Sequence, residues 1–296
     1  MRRPLFFLLL AIPLLAVSAV QACSMCACGD PSGDLCGCSA CPDGAWVMRL
    51  ESRYVSKQND SDEGVGTEHH RQTQIAAAAT HAFNRSFDAY ARLPFTSTTL
   101  WTSGGEEDER MTHSGLGDAE VMGRYTLPWQ PANSRIALAL GAKLPTGNNN
   151  LESDGERLTE HAQLGSGSYD GYAILGWRTN GWLSWEGSAG YRYNGVNSHD
   201  QRYGRTAWIE TTVARDLNST FRFESGLRLR DAARDQSVEG FDENSGGSQL
   251  LAMVEGRATL GSRVAVVLNG LIPVVSNLFG SQVEQPTIRA GLAVTL

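Results

Sequence analysis

Ten consecutive residues, Phe221-Arg222-Phe223-Glu224-Ser225-Gly226-Leu227-Arg228-Leu229-Arg230, alternate without a slip. Phe221, Phe223, Leu227 and Leu229 fall on one side, and Arg222, Glu224, Arg228 and Arg230 on the other. A period of two belongs to an extended strand, whose successive side chains point to opposite faces. One face is greasy and the other is ionic. A chain that repeats this pattern must build a sheet that keeps the two faces in different surroundings.

The pattern does repeat. Twelve strand-like stretches follow one another: 45–57, 70–82, 86–98, 116–127, 135–145, 168–178, 181–194, 204–216, 219–231, 248–260, 262–275 and 286–296. Leu183, Trp185, Ala189, Tyr191 and Tyr193 oppose Ser184, Glu186, Ser188 and Arg192, and the other stretches sort in the same way. The Ala-rich run Gln74 to Thr80 carries the weakest signal. Connections alternate in length: Asn84-Arg85, Asn180-Gly181, Leu217-Asn218 and Gly261-Ser262 read as tight hairpin turns, and 58–69, 99–115, 146–167, 195–203, 232–247 and 276–285 as long polar loops. Short turns on one side and long loops on the other are the habit of outer-membrane barrels.

Residues 1–22 read as a secretory signal, with Arg2 and Arg3 ahead of an apolar run and Val20-Gln21-Ala22 as the cleavage site. No later apolar run is long enough for a membrane helix. The net charge of −7 argues against a nucleic-acid surface. A sheet of this kind closes either as a soluble barrel, greasy face inward, or as a membrane barrel, greasy face to lipid. Export, a circumference too wide for apolar side chains to fill, and aromatics near strand ends (Trp46, Tyr54, Phe87, Phe95, Trp101, Tyr125, Trp129, Tyr169, Trp177, Tyr193, Phe221) decide for lipid. The expected fold is all-β: a closed antiparallel transmembrane barrel of about twelve strands over 45–296, with short periplasmic turns and long external loops.

On that reading Arg49, Arg53, Arg92, Arg124, Lys143, Arg178, Arg192, Arg222, Arg228, Arg230, Arg257 and Arg289 line the lumen. Glu51, Asp88, Asp118, Glu120, Asp170, Glu186, Glu210, Glu224 and Glu255 stand against them. Near balance is compatible with pairing across neighbouring strands and with a narrow, slightly cationic conduit. The acidic runs Asp60 to Glu63, Glu106 to Glu109 and Glu152 to Glu160 read as solvated loop faces or as cation bridges to lipopolysaccharide, and none has the spacing of a calcium loop.

Gly115-Leu116-Gly117-Asp118, Lys143-Leu144-Pro145-Thr146-Gly147 and Gly165-Ser166-Gly167-Ser168-Tyr169-Asp170 resemble, in order and spacing, the Gly-Leu-Gly-Asp, Lys-Leu-Pro-Thr-Gly and Gly-Thr-Gly-Ser motifs of the outer-membrane transporter family named after the MetA pathway of phenol degradation. The likeness is densest over roughly 115–178. It implies a β-barrel that passes small, often hydrophobic compounds.

All six cysteines lie in 23–44, a Gly/Asp/Pro/Ser-rich segment on the periplasmic side: Cys23, Cys26, Cys28, Cys36, Cys38 and Cys41. Their spacing is the same in both directions. In an oxidising compartment they make three disulfides of undetermined pairing, or, as clustered thiolates, a soft-metal site for Cu(I), Zn(II) or an iron–sulfur centre. Both readings stand at this point. Catalysis finds no support: Ser198 and His199 are neighbours on the chain and point apart, and no Gly-x-Ser-x-Gly elbow occurs. Two functions follow. One is passage of a small solute through the lumen; the other is metal binding or interaction by the cysteine segment, with the barrel mainly an anchor. The expected partners are outer-membrane lipid and lipopolysaccharide, a small-molecule solute and a periplasmic protein at the cysteine segment.

Overall fold

A computed structural model describes residues 43–60, 67–103, 110–128, 133–153 and 155–296. The signal segment and all six cysteines lie outside the described residues.

The wall strands are β1 (Trp46–Asp60), β2 (Thr67–Ala82), β3 (Phe87–Ser103), β4 (Arg110–Leu116, resumed at Ala119–Thr126), β5 (Ser134–Leu144), β6 (Asp170–Thr179), β7 (Ser184–Asn194), β8 (Thr206–Asp216), β9 (Phe221–Ala232), β10 (Gly247–Leu260), β11 (Val264–Leu278) and β12 (Thr287–Thr295). Each pairs antiparallel with the next. β1 closes the ring by pairing with both β2 and β12, so that Val47 lies between Thr80 and Thr295. Closure leaves no strand edge to meet hydrocarbon with unpaired backbone groups.

Burial follows the sequence alternation. Along β9 Phe221, Phe223, Leu227 and Leu229 are exposed on the outer surface, while Arg228 between them is buried. The Ala-rich β2 obeys the same rule: Gln74, Ala76, Ala78 and Thr80 are buried and Ile75 is exposed. Small alanines there leave room inside for the long side chains of neighbouring strands. A cation placed on the greasy surface would meet lipid, so Leu227→Arg is expected to cost about 2–4 kcal/mol. Urea unfolding in lipid vesicles measures it, with a shift near zero expected for the turn variant Ser219→Arg.

The turns are built as hairpin chemistry requires. Asn84 Oδ1 accepts the backbone N–H groups of Ser86 and Phe87, both at 2.9 Å, and Asn218 Oδ1 accepts those of Thr220 and Phe221 at 2.8 Å. In β11, Pro273 has no N–H to offer the ladder. The register slips beside it: Leu250 faces Val275 and Leu251 faces Pro273, leaving Val274 as a bulge.

Two of the expected loops are shorter than the sequence suggests. β1 runs to Asp60 and β2 begins at Thr67; β3 runs to Ser103 and β4 begins at Arg110. Much of 58–69 and 99–115 is therefore strand, and His69 and His113 sit in the wall rather than in loops. The cause is length. β1 to β3 have 15, 16 and 17 residues, whereas a span needs about 9–11. Above the apolar band the outer surface carries hydroxyls, with Ser114 Oγ donating to Ser97 Oγ at 2.8 Å and Thr99 and Thr112 3.1 Å apart. The ladder continues after the greasy signal has ended.

Candidate functional site: the barrel interior and its outer mouth

The three sequence motifs meet at one point where β4, β5 and β6 reach the long-loop end. β4 is interrupted at Gly117-Asp118, and Asp118 turns inward. Lys143 at the end of β5 stands 3.3 Å from Asp118 Oδ2 and 2.6 Å from Asp170 Oδ2 at the start of β6. Its Nζ also donates to Ser166 Oγ. Ser166 returns both its backbone N–H and its hydroxyl to Asp118 Oδ2 at 2.8 Å, and Gly147 N–H donates to Asp118 Oδ1 at 3.0 Å. Ser168 Oγ and the Gly195 N–H donate to Asp170 Oδ1 at 2.8 and 3.1 Å. Lys143 is only 1% exposed, so this ammonium is neutralised by two carboxylates rather than by water. Gly147 and Gly165 pass so close that a Cβ on Gly147 would stand 2.7 Å from Gly165 Cα. The motif glycines thus permit the approach that lets the 145–169 loop dock into the mouth.

The loops above the node bind one another. Tyr203 Oη donates to the Glu160 carbonyl at 3.0 Å, and Asn197 Nδ2 to that of Ser166 at 3.0 Å. Gly204 N–H donates to Asp235 Oδ1 at 2.8 Å, and Ser281 N–H to Asn244 Oδ1 at 3.1 Å. His199, placed by the sequence beside Ser198, contacts Asn150 Oδ1 at 2.5 Å. The loops form a knitted cap at one end of the barrel. The short acidic stretch around Glu160 is not simply solvated, because Arg157 pairs with Glu160 at 2.7 Å.

Below the cap the interior is ionic. Arg124 pairs with Asp88 at 2.7 Å, Arg192 with Glu120 at 3.3 Å and Arg92 with Glu51 at 3.5 Å. Glu186 is shared by Arg178 and Arg222, each at 2.6 Å, and Arg222 also reaches Asp216 at 3.2 Å. Arg228 donates through Nε to Glu210 at 2.6 Å, and Arg230 lies 3.9 Å from Glu284. Glu224 accepts from Thr212 Oγ1 at 2.6 Å, and Arg49 donates to Thr80 Oγ1 at 2.9 Å. Arg53 is buried, opposite Arg289 in the β1–β12 register. Several pairs, such as Asp88 with Arg124 and Glu210 with Arg228, are direct cross-strand neighbours. The β9–β10 register does the reverse, setting Arg222 opposite Arg257 and Glu224 opposite Glu255. Like charges in direct opposition are unfavourable, and a contact along β10 itself compensates, Arg257 reaching Glu255 two residues away at 3.4 Å.

One interior feature has no counterpart in the reading of charges. Met122, Ala139, Tyr172, Ile174 and Trp208 form a buried apolar cluster with Tyr90 packed against it. All of these residues lie on the inward face of β3 to β8. Tyr172 lies over Gly141 and Trp208 over Gly190, each ring taking the space a side chain would need. Arg192 sits 5.1 Å above the Tyr172 ring, joining the apolar band to the ionic one. The Trp208 indole Nε1 is buried with no hydrogen-bond partner among the described residues. Inward aromatics are detectable from strand parity, but aromatics in such a chain read first as lipid-facing.

A closed antiparallel barrel with a greasy exterior, an ionic interior and a looped mouth is an outer-membrane β-barrel. The chain belongs to the family described as "Putative MetA-pathway of phenol degradation", whose model matches residues 44–252. Among solved structures it is similar to the COG4313 outer membrane channel from Pseudomonas putida F1, with a TM-score of 0.66 at 10% identity, covering 87% of this chain and 97% of that one. A weaker likeness, TM-score 0.46 at 9% identity over 87% and 90% of the two chains, is to the Ralstonia pickettii toluene transporter TbuX. No curated protein matches the chain in sequence.

Proposed function

We propose that the barrel is a conduit for small solutes that carry an aromatic ring and a polar group. The observation that carries this is the two-sided interior. An apolar, aromatic band built from Tyr90, Met122, Tyr172, Ile174 and Trp208 lies beside ion pairs such as Arg192–Glu120 and Arg124–Asp88. A ring gains by leaving water against the first, and a hydroxyl or carboxylate finds donors in the second. The family's description points to phenol chemistry, and the Pseudomonas structure is named as a channel. Single-channel conductance in planar bilayers tests the reading: an aromatic carboxylate added on one side is expected to reduce the ion current in a concentration-dependent way, and an aliphatic carboxylate of equal charge to do so far less. Equal effects of the two would contradict an aromatic preference.

We propose in addition that the cysteine segment binds a soft metal at the periplasmic side, for which the support is the clustering of six thiols within nineteen positions. Metal content and free-thiol count of mature protein purified without reductant or chelator check it. Bound copper, zinc or iron, with thiols reactive once it is stripped, is the expected result; no metal and no free thiols would mean three disulfides.

A further inference from the structure

The mouth carries a triad that the conduit does not use. His161 belongs to the short 3-10 turn Glu160–Ala162 in the 145–169 loop, and Asp235 and Asp242 flank the two-residue hairpin Gln236–Ser237/Gly240–Phe241 in the 233–246 loop. One ligand atom from each lies within 4.8 Å of those of the other two. His161 Nε2 stands 3.5 Å from Asp242 Oδ2. Two bonds of about 2.1 Å at the tetrahedral angle place ligand atoms about 3.4 Å apart, so this edge has the length a four-coordinate Zn(II) requires.

The surroundings orient the donors as an outer shell does. Each carboxylate has one oxygen held by backbone: Gly204 N–H donates to Asp235 Oδ1 and Asn244 N–H to Asp242 Oδ1, both at 2.8 Å. Asp242 Oδ2 is the oxygen that faces His161. The hairpin is pinned at its base by Asp242 N–H donating to the Asp235 carbonyl at 3.0 Å, which fixes the spacing of the two carboxylates. Asp235 is buried, at 7% exposure. Outer-shell hydrogen bonds that fix a ligating carboxylate are a regular part of metal sites.

We propose that His161, Asp235 and Asp242 form a binding site for a Zn(II)-class divalent ion that ties the 145–169 loop to the 233–246 loop across the mouth. One imidazole and two carboxylates suit a first-row ion better than magnesium, and three protein ligands leave a fourth position for water. The bound ion would fasten the cap that controls access to the interior.

The test uses the full chain, folded in detergent, with its cysteines reduced and alkylated so that no thiolate competes. Calorimetry with Zn(II) is expected to show one ion per chain, and Co(II) to give the visible absorption of a four-coordinate site. Magnesium in large excess displaces neither. His161→Ala and Asp242→Asn are each expected to weaken Zn(II) binding by more than about tenfold, with the heat-modifiable gel mobility of the folded barrel unchanged. Zn(II) should also slow proteolysis of the 145–169 loop in the parent chain but not in either variant. Absence of binding by the folded parent, or equal binding by both variants, would overturn the site.

Discussion

Lys143→Ala is expected to be the most disruptive single change in this barrel. The ammonium lies 3.3 Å from Asp118 and 2.6 Å from Asp170 and is almost completely buried. Its removal leaves two buried carboxylates to face each other, a loss on the order of 3–5 kcal/mol. Because Asp118 also receives Gly147 and both donors of Ser166, the disturbance should travel into the 145–169 loop before it reaches the wall. The expected result is a lower urea midpoint together with rapid proteolysis in that loop, while the barrel keeps its heat-modifiable mobility. Pairing Lys143→Met with Asp170→Asn should recover part of the loss, since the second change removes a carboxylate the first had stranded. An unchanged midpoint for Lys143→Ala would refute the role assigned to this cluster.

Trp208→Ala should alter what passes rather than whether the protein folds. The indole packs in the interior apolar cluster and roofs Gly190. Truncation widens the interior and removes a ring surface, so ion conductance is expected to rise while discrimination in favour of aromatic solutes falls. An aromatic contact of about 1 kcal/mol corresponds to roughly a fivefold change in relative flux. Liposome swelling with phenyl glucoside and methyl glucoside, which differ by the aromatic ring, reads that ratio directly. Trp208→Phe should retain most of it. A ratio unchanged in Trp208→Ala would exclude the inner aromatic band as the source of selectivity.

The alternation of Phe221 to Arg230 was enough to place one face in lipid and the other inside, and the burial of Arg228 between exposed Leu227 and Leu229 follows it. The upper ends of β1 to β4 were not legible in the same way. Ser97 and Thr99 follow Phe95 on the same strand parity, so the apolar alternation lapses there, with Trp101 alone resuming it, although the backbone ladder continues to Ser103. Asp118, Lys143 and Asp170 were visible as motif residues, but their convergence depends on cross-strand register, which sets Lys143 opposite Asp170 and Glu120. His161, Asp235 and Asp242 share no spacing at all, since docked loops bring them together. Tyr172 and Trp208 stood in inward positions of their strands, yet an aromatic in such a strand is counted as lipid-facing until closure shows otherwise.

Conduction of a ring-bearing solute is measurable on wild-type protein reconstituted into liposomes. Phenyl glucoside and methyl glucoside scarcely cross a protein-free bilayer. The folded barrel is expected to admit both, and phenyl glucoside faster. A folded, correctly inserted barrel that admits neither, or admits methyl glucoside faster, would contradict it.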